Sequence, residues 1–186
     1  MDTVADNYRS EIIDAGVDGL TWNARGRDGL IELTNDTGSE VTVFGYQGEP
    51  YLQFVPGDAV YRNASSPATY LNEDRYGDVD IPAGTSATAA AELEPIAAGN
   101  SYSWHDDRAH WMSRVEPPAV AADRGRQHLI LEYEIPLQVG SDTVAAAGEL
   151  RWLPNVAWWP PVVALAGVLS ALVTLVAVTT RPTPDR

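Results

Sequence analysis

The sequence predicts an all-β fold, an Ig-like antiparallel sandwich of about seven strands, followed by a single C-terminal transmembrane helix. Three observations predict it. Leu129, Leu131, Tyr133, Ile135, Leu137 and Val139 alternate with mostly polar neighbours, a period-two pattern that turns one apolar face inward. Short apolar runs are separated throughout by turn chemistry such as NDTGS, PGD and GSD, the rhythm of a sandwich rather than of a helical bundle. Finally, residues 162–180 read VVALAGVLSALVTLVAVTT without a charge.

The elements follow in order. Residues 1–19 form an N-terminal segment, and 20–153 form the sandwich ectodomain. Runs GLIELT at 29–34 and VTVFGY at 41–46 flank NDTGS, which predicts a hairpin. YLQFV at 51–55 is the next strand, closed by PGD. The Ala-, Thr- and Gly-rich stretch 83–99 reads as a loop with one strand near 93–97, because Pro95 stops any helix there. After GSD, Val144, Ala146, Gly148, Leu150 and Trp152 repeat the alternation and give a strand antiparallel to 129–139. Pro136 marks an edge or a bulge, since it cannot donate to a ladder. Residues 154–161 make a stalk, 162–180 the membrane span and 181–186 a cytoplasmic tail. As a helix the span covers about 28 Å, close to a hydrocarbon core of about 30 Å. Trp158 and Trp159 stand at its entry, where aromatic side chains favour the headgroup region, and Arg181 closes it.

Composition narrows the function classes. The chain has no Cys, so disulfides, thiol catalysis and Cys-ligated zinc are excluded. All 12 basic residues are Arg, which excludes lysine chemistry, and the net charge of −14 argues against a nucleic-acid partner. No GxSxG, HExxH, P-loop or Ser-x-x-Lys pattern occurs, so the expectation is a non-catalytic protein. Arg181 and Arg186 favour a cytoplasmic C-terminus and an extracytoplasmic large domain. The start, MDTVADNYRSE, lacks the basic and apolar regions of a signal peptide. Taken literally, that start leaves a tail-anchored protein with a cytoplasmic domain as the alternative.

Two stretches are denser in polar and aromatic residues than sheet-building requires: 66–77 (SPATYLNEDRYG) and 103–112 (SWHDDRAHWM). From them come the candidate ligand-contact residues Glu73, Asp74, Arg75, Tyr76, Trp104, His105, Asp107, Arg108, His110 and Trp111. Arg75 and Arg108 each follow an Asp, and each is placed to pair with a carboxylate of the other stretch as a bidentate fork. Trp104, Trp111 and Met112 fit a ligand groove, although Trp beside a polar loop is more commonly the plug of a sandwich end.

His105, Asp106, Asp107 and His110 are the candidate metal ligands, with copper or zinc as the ion. A five-residue separation puts two His about 140° apart on a helix and on opposite faces of a strand. The imidazoles converge only if the segment is a loop, and Glu73, Asp74 or His128 would have to supply further ligands. Without a metal, the same residues read as a hydrogen-bonded network that pins the loop. Neighbouring carboxylates would then raise the His pKa and make the loop pH-sensitive. Paired acids (Glu73 with Asp74, Asp106 with Asp107) also admit a hydrolase.

With YRSE at 8–11 and GYQGEPYL at 45–52, these two stretches resemble a family of uncharacterised actinobacterial envelope proteins, which carry the same four blocks in the same order. The resemblance covers residues 8 to about 152. It implies a signal sequence, an exported domain and a C-terminal hydrophobic segment, and it supplies no activity. Many relatives have WHDHR in the last block; Asp107 stands here in place of the second His. The resulting expectation is a membrane-anchored extracytoplasmic binding module, possible partners being a ligand or another envelope protein, with metal binding and hydrolysis as alternatives. Asn35-Asp36-Thr37 and Asn63-Ala64-Ser65 match the glycosylation triplet by chance of turn composition.

Overall fold

A computed structural model describes residues 7–25 and 29–154 of the chain. Among them ten strands form two antiparallel sheets. In chain order these are β1 (Tyr8–Asp14), β2 (Leu20–Arg25), β3 (Leu30–Asn35), β4 (Val41–Phe44), β5 (Pro50–Phe54), β6 (Ala59–Asn63), β7 (Leu93–Ala98), β8 (Ser101–His105), β9 (His128–Val139) and β10 (Asp142–Trp152). Two short helices, α1 (Pro67–Leu71) and α2 (Pro118–Ala122), lie in the connections. The larger sheet runs β1-β10-β9-β4-β5-β6-β7 and the smaller β2-β3-β8. Ile31 and Leu33 of the small sheet pack with Val41, Val43, Phe54, Ile135 and Leu137 of the large one, all essentially without solvent contact. Trp104 of β8 joins this core, edge-on to Trp22 at 6.1 Å between ring centres. A second, smaller core gathers Tyr8, Val120, Leu150 and Trp152.

The strand count exceeds the seven expected because β1, β2, β6 and β8 carry little apolar alternation. Their inward positions include Ser10 and Asn63, polar residues that are buried because they are hydrogen-bonded. β1 therefore belongs to the sheet, paired with β10 from Tyr8↔Trp152 onward, although residues 1–19 read as a separate segment. The predicted hairpin across NDTGS does not form: β3 pairs with β2 and β8, whereas β4 pairs with β5 and β9. Asn35 explains the change. Its side chain accepts from Thr37 N at 3.1 Å and Thr37 Oγ1 at 2.7 Å and donates to Ser39 O at 2.8 Å, so the connection turns a corner between sheets. Asn63 makes the same local bond to Ser65 N at 3.0 Å. Both glycosylation-like triplets are thus turns whose Asn side chain is engaged.

The β9–β10 hairpin forms as the alternation predicts, closed by Val139↔Asp142 with Gly140 at φ 58°. Tyr133, Ile135 and Leu137 face inward. The inward face does not extend over all six predicted positions. A bulge skips Ile130, sending it into the second core and leaving Leu129 46% exposed.

Pro136 lies within a strand flanked on both sides, and the alternation explains why it is tolerated there. Gly140 N donates to Glu40 O at 2.9 Å, so the even-numbered amides of β9 point toward β4. The β9–β4 register runs Val139↔Val41, Gln138↔Thr42, Leu137↔Val43 and ends. The next pair would be Pro136 with Phe44, and Pro136 has no N–H to give. The ladder stops, leaving the Phe44 carbonyl for another donor and the remainder of that β9 edge without a neighbouring strand among the described residues.

Among the described residues no helix is long and apolar enough to cross a membrane. The predicted span 162–180, the tail 181–186 and the stalk beyond Pro154 lie outside the described residues.

Candidate metal centre

Three of the four sequence blocks converge at one place. In 45–52, Gly48 at φ 82° makes the turn and Gly45 lets the Glu49 side chain fold back: a Cβ on Gly45 would lie 2.2 Å from Glu49 Oε1. Glu49, buried, accepts from Gln47 N at 2.9 Å and from Ser66 Oγ at 2.8 Å. Ser66 in turn caps α1 by accepting from Ala68 N at 3.2 Å. Block 45–52 thereby fixes the start of block 66–77. Tyr46 completes the join: its hydroxyl donates to Asn72 Oδ1 and accepts from Asp107 N at 2.9 Å. Burial, with the nearby Asp106 carboxylate, pushes the Tyr46 pKa far up, so the hydroxyl stays protonated and able to donate. Block 8–11 is used elsewhere, Ser10 Oγ meeting Tyr133 OH at 2.5 Å in the sandwich interior.

Within 103–112, β8 ends at His105 and a 3₁₀ turn, Asp107–Ala109, follows. Asp106 is the anchor. It is wholly buried, and its two oxygens accept from Trp104 Nε1 (2.9 Å), Arg108 N (3.1 Å), Arg108 Nε (2.8 Å) and Arg108 Nη2 (2.8 Å). Burial alone would raise the Asp106 pKa, but the Arg108 bonds outweigh it and hold the carboxyl below its usual range. The guanidinium is itself placed from outside the block. Arg108 Nη1 donates to Phe44 O at 3.2 Å, the carbonyl that Pro136 leaves without a strand partner, and its Cζ sits 5.1 Å from the Tyr46 ring centre.

That arrangement corrects two expectations. Arg108 pairs within its own block rather than across to 66–77. Asp106, expected among the metal ligands, is engaged on both oxygens and does not join them.

Asp107, one residue on, faces the other way. Its Oδ1 lies 3.4 Å from His110 Nε2 and 3.8 Å from His105 Nδ1, and the two imidazole rings are 4.4 Å apart. One donor atom from each of the three residues falls within 4.8 Å of the others. The separation of five that is unfavourable on a helix or a strand is bridged by the turn. His110 is 2% exposed and lies against Gly29, whose φ of 69° and missing side chain leave it room: a Cβ there would be 2.8 Å from His110 Cβ. Gly77 borders the opposite side, a Cβ there falling 3.7 Å from Asp107 Oδ2. Among the described residues neither nitrogen of His105 has a hydrogen-bond partner, nor does His110 Nδ1, although all three are buried. The expected rise in His pKa is reversed at His105, where burial and the neighbouring His110 lower it and favour the neutral ring that a metal requires.

The other predicted residues lie around this centre with different partners. Glu73 is exposed and 3.7 Å from Arg62 Nη1. Asp74 Oδ1 accepts from Tyr76 N at 2.8 Å and Asp78 N at 3.2 Å, closing the loop after α1. Tyr76 lies under two guanidinium groups, Arg75 at 5.7 Å and Arg114 at 4.7 Å from its ring centre. Trp104 is core, and Trp111 donates to Val115 O at 2.7 Å. His128 meets Asp123 O at 2.6 Å and has no part in the cluster. A cavity of about 500 Å³ opens beside Asp107 and His110, lined also by Trp111, Met112, Leu131 and Tyr133. Sequence reasoning missed Tyr46, Glu49 and Gly29 as site residues, and named Met112 only as a residue of a ligand groove. The glycine-flanked Tyr and Glu of GYQGEP carried the one usable signal.

Fold and site together define an all-β, sandwich-like protein with a two-His, one-carboxylate cluster at the end of one strand. No family model, curated protein or solved structure matches the chain.

Proposed function

We propose that the chain is a single-pass, membrane-anchored, extracytoplasmic protein whose Ig-like sandwich binds one transition-metal ion through His105, Asp107 and His110. The observation that carries this reading is that two imidazoles and a carboxylate bring donor atoms within 4.8 Å of one another while three of the four buried imidazole nitrogens, His105 Nδ1 facing Asp107 among them, have no hydrogen-bond partner among the described residues. Buried polar atoms are nearly always hydrogen-bonded, and an unpaired set of this kind calls for a ligand. A network that merely pinned the loop would be satisfied. Asp106 and Arg108 already do the pinning, and contacts of 3.4–3.8 Å from Asp107 are long for good hydrogen bonds.

Two imidazoles and a carboxylate are the donor set of zinc, copper and non-haem iron sites with an open position. Donors of a tetrahedral ion with bonds of about 2.0–2.2 Å stand about 3.4 Å apart; Asp107 and His110 already stand 3.4 Å apart, and His105, 3.8 Å from Asp107, is the side chain that needs to close in. The acidic domain favours cation approach. The uncharged run 162–180 supports anchoring, and the resemblance of the four blocks to actinobacterial envelope proteins supports export.

Calorimetric titration of the detergent-solubilised full chain with Zn²⁺ or Cu²⁺ tests the metal reading. One ion per chain is expected, lost in Asp107→Ala and His110→Ala. Absence of heat with both ions, or unchanged binding in both variants, overturns it.

A further inference from the structure

We propose that Met112 supplies the fourth ligand of this centre and that the ion it selects is copper in its cuprous state. The inference rests on the metal reading above and adds a residue and an ion to it. Three protein donors leave a four-coordinate ion one position short. Among the surrounding hard donors, both Asp106 oxygens are engaged with Trp104 and Arg108 and the Tyr46 hydroxyl with Asn72 and Asp107 N, while Asp74, whose Oδ1 takes two backbone amides, is not among the residues whose donor atoms fall within 4.8 Å of one another. Glu132 and Glu134 border the cavity, but they stand on the exposed face of β9.

Met112 is differently placed. It lines the same cavity of about 500 Å³ as Asp107 and His110. Its Cε and Asp107 Oδ2 fall 3.8 Å and 3.7 Å from one point, the position of a Cβ on Gly77. The two atoms are therefore no more than about 7.5 Å apart, which puts an unbranched thioether with three rotatable bonds beside the Asp107 carboxylate whose other oxygen faces the two imidazoles. Gly77, at φ 64°, keeps that space free of a side chain. The chain has no cysteine, and Met112 is the one methionine among the described residues, so Met112 is the soft donor placed at this centre. Thioether with imidazole favours Cu(I), whereas carboxylate and imidazole alone suit Zn(II).

The test compares the full chain with Met112→Leu, a volume-conserving change that keeps the cavity wall apolar. Cu(I) affinity is measured by competition with a chromophoric cuprous chelator, Zn(II) affinity by calorimetry, and the Cu(I) coordination shell by X-ray absorption. The expected result is at least a tenfold loss of Cu(I) affinity in the variant, unchanged Zn(II) affinity and melting temperature, and one sulfur scatterer in the wild-type shell that the variant lacks. Equal Cu(I) affinity with no sulfur in the wild-type shell, while His110→Ala still abolishes binding, overturns the role of Met112 and leaves the metal centre standing. Failure of the wild type to bind either ion removes both.

Discussion

Asp106 and Asp107 are consecutive carboxylates in opposite circumstances, and the two clusters they serve teach different things about the molecule. Around Asp106 every group is matched: Trp104, Arg108, Phe44 O and Tyr46 form one closed set in the sandwich end. Around Asp107 three of the four buried imidazole nitrogens have no partner among the described residues. A saturated network is what a fold uses to hold a loop, and an unsaturated one beside it is what a fold can offer to a ligand. The first cluster fixes the geometry of the second, because Arg108 ties the 3₁₀ turn to the end of β4.

Substitution of the two carboxylates should separate these roles most strongly. Asp106→Asn leaves the buried Arg108 without its counter-charge and is expected to cost about 3–5 kcal/mol in chemical denaturation. Asp107→Asn should cost less than about 1 kcal/mol in the same assay while abolishing metal binding. Equal costs would erase the distinction. A smaller effect is expected from Gly29→Ala, which touches the second cluster from behind. A side chain at φ 69° and 2.8 Å from His110 Cβ should cost about 1–3 kcal/mol and weaken metal binding as well. Loss of stability with full metal affinity would mean that His110 needs no such backing.

Smaller still is Pro136→Ala, which restores an amide opposite Phe44 O. The stability change should stay within about 1 kcal/mol, and hydrogen exchange should show a protected amide at residue 136 as the ladder extends. Rapid exchange there would show that Arg108 retains the carbonyl.

The weakest expected effect is on pH dependence. His105 has its pKa lowered in the folded protein, so the unfolded chain binds more protons just below the ordinary value of 6.5. Metal-free protein should therefore lose stability as pH falls from about 7 through this range, and regain it as pH rises. His105→Gln should remove that component of the profile. A steeper fall in the variant than in the wild type would contradict the sign.

Much of the sheet was legible. The alternation of 129–139 and 144–152 gave the longest hairpin because each inward position is apolar and each turn has its glycine. The strands that escaped reading, such as β1 and β6, bury Ser10 and Asn63, so their inward faces look polar in sequence. NDTGS read as a hairpin because composition identifies a turn without saying which sheet the chain enters next. At the site, the His and Asp residues were visible as residue types, but their division of labour was not. Whether Asp106 or Asp107 meets Arg108 depends on the register at the end of β8 and on a carbonyl released by Pro136, thirty residues later in the chain. Gly29 and Gly77 contribute by lacking a side chain, and that becomes meaningful only when His110 and Asp107 are seen beside them.

The central claim is that His105 and His110 bind one ion together. Pulsed electron paramagnetic resonance of the Cu(II)-loaded full chain tests it most directly, because imidazole nitrogens modulate the echo and can be counted. The account predicts two coordinated imidazoles in the wild type and loss of the bound-copper signal in His110→Gln. A wild-type spectrum without imidazole modulation, or one identical to that of His110→Gln, would contradict it.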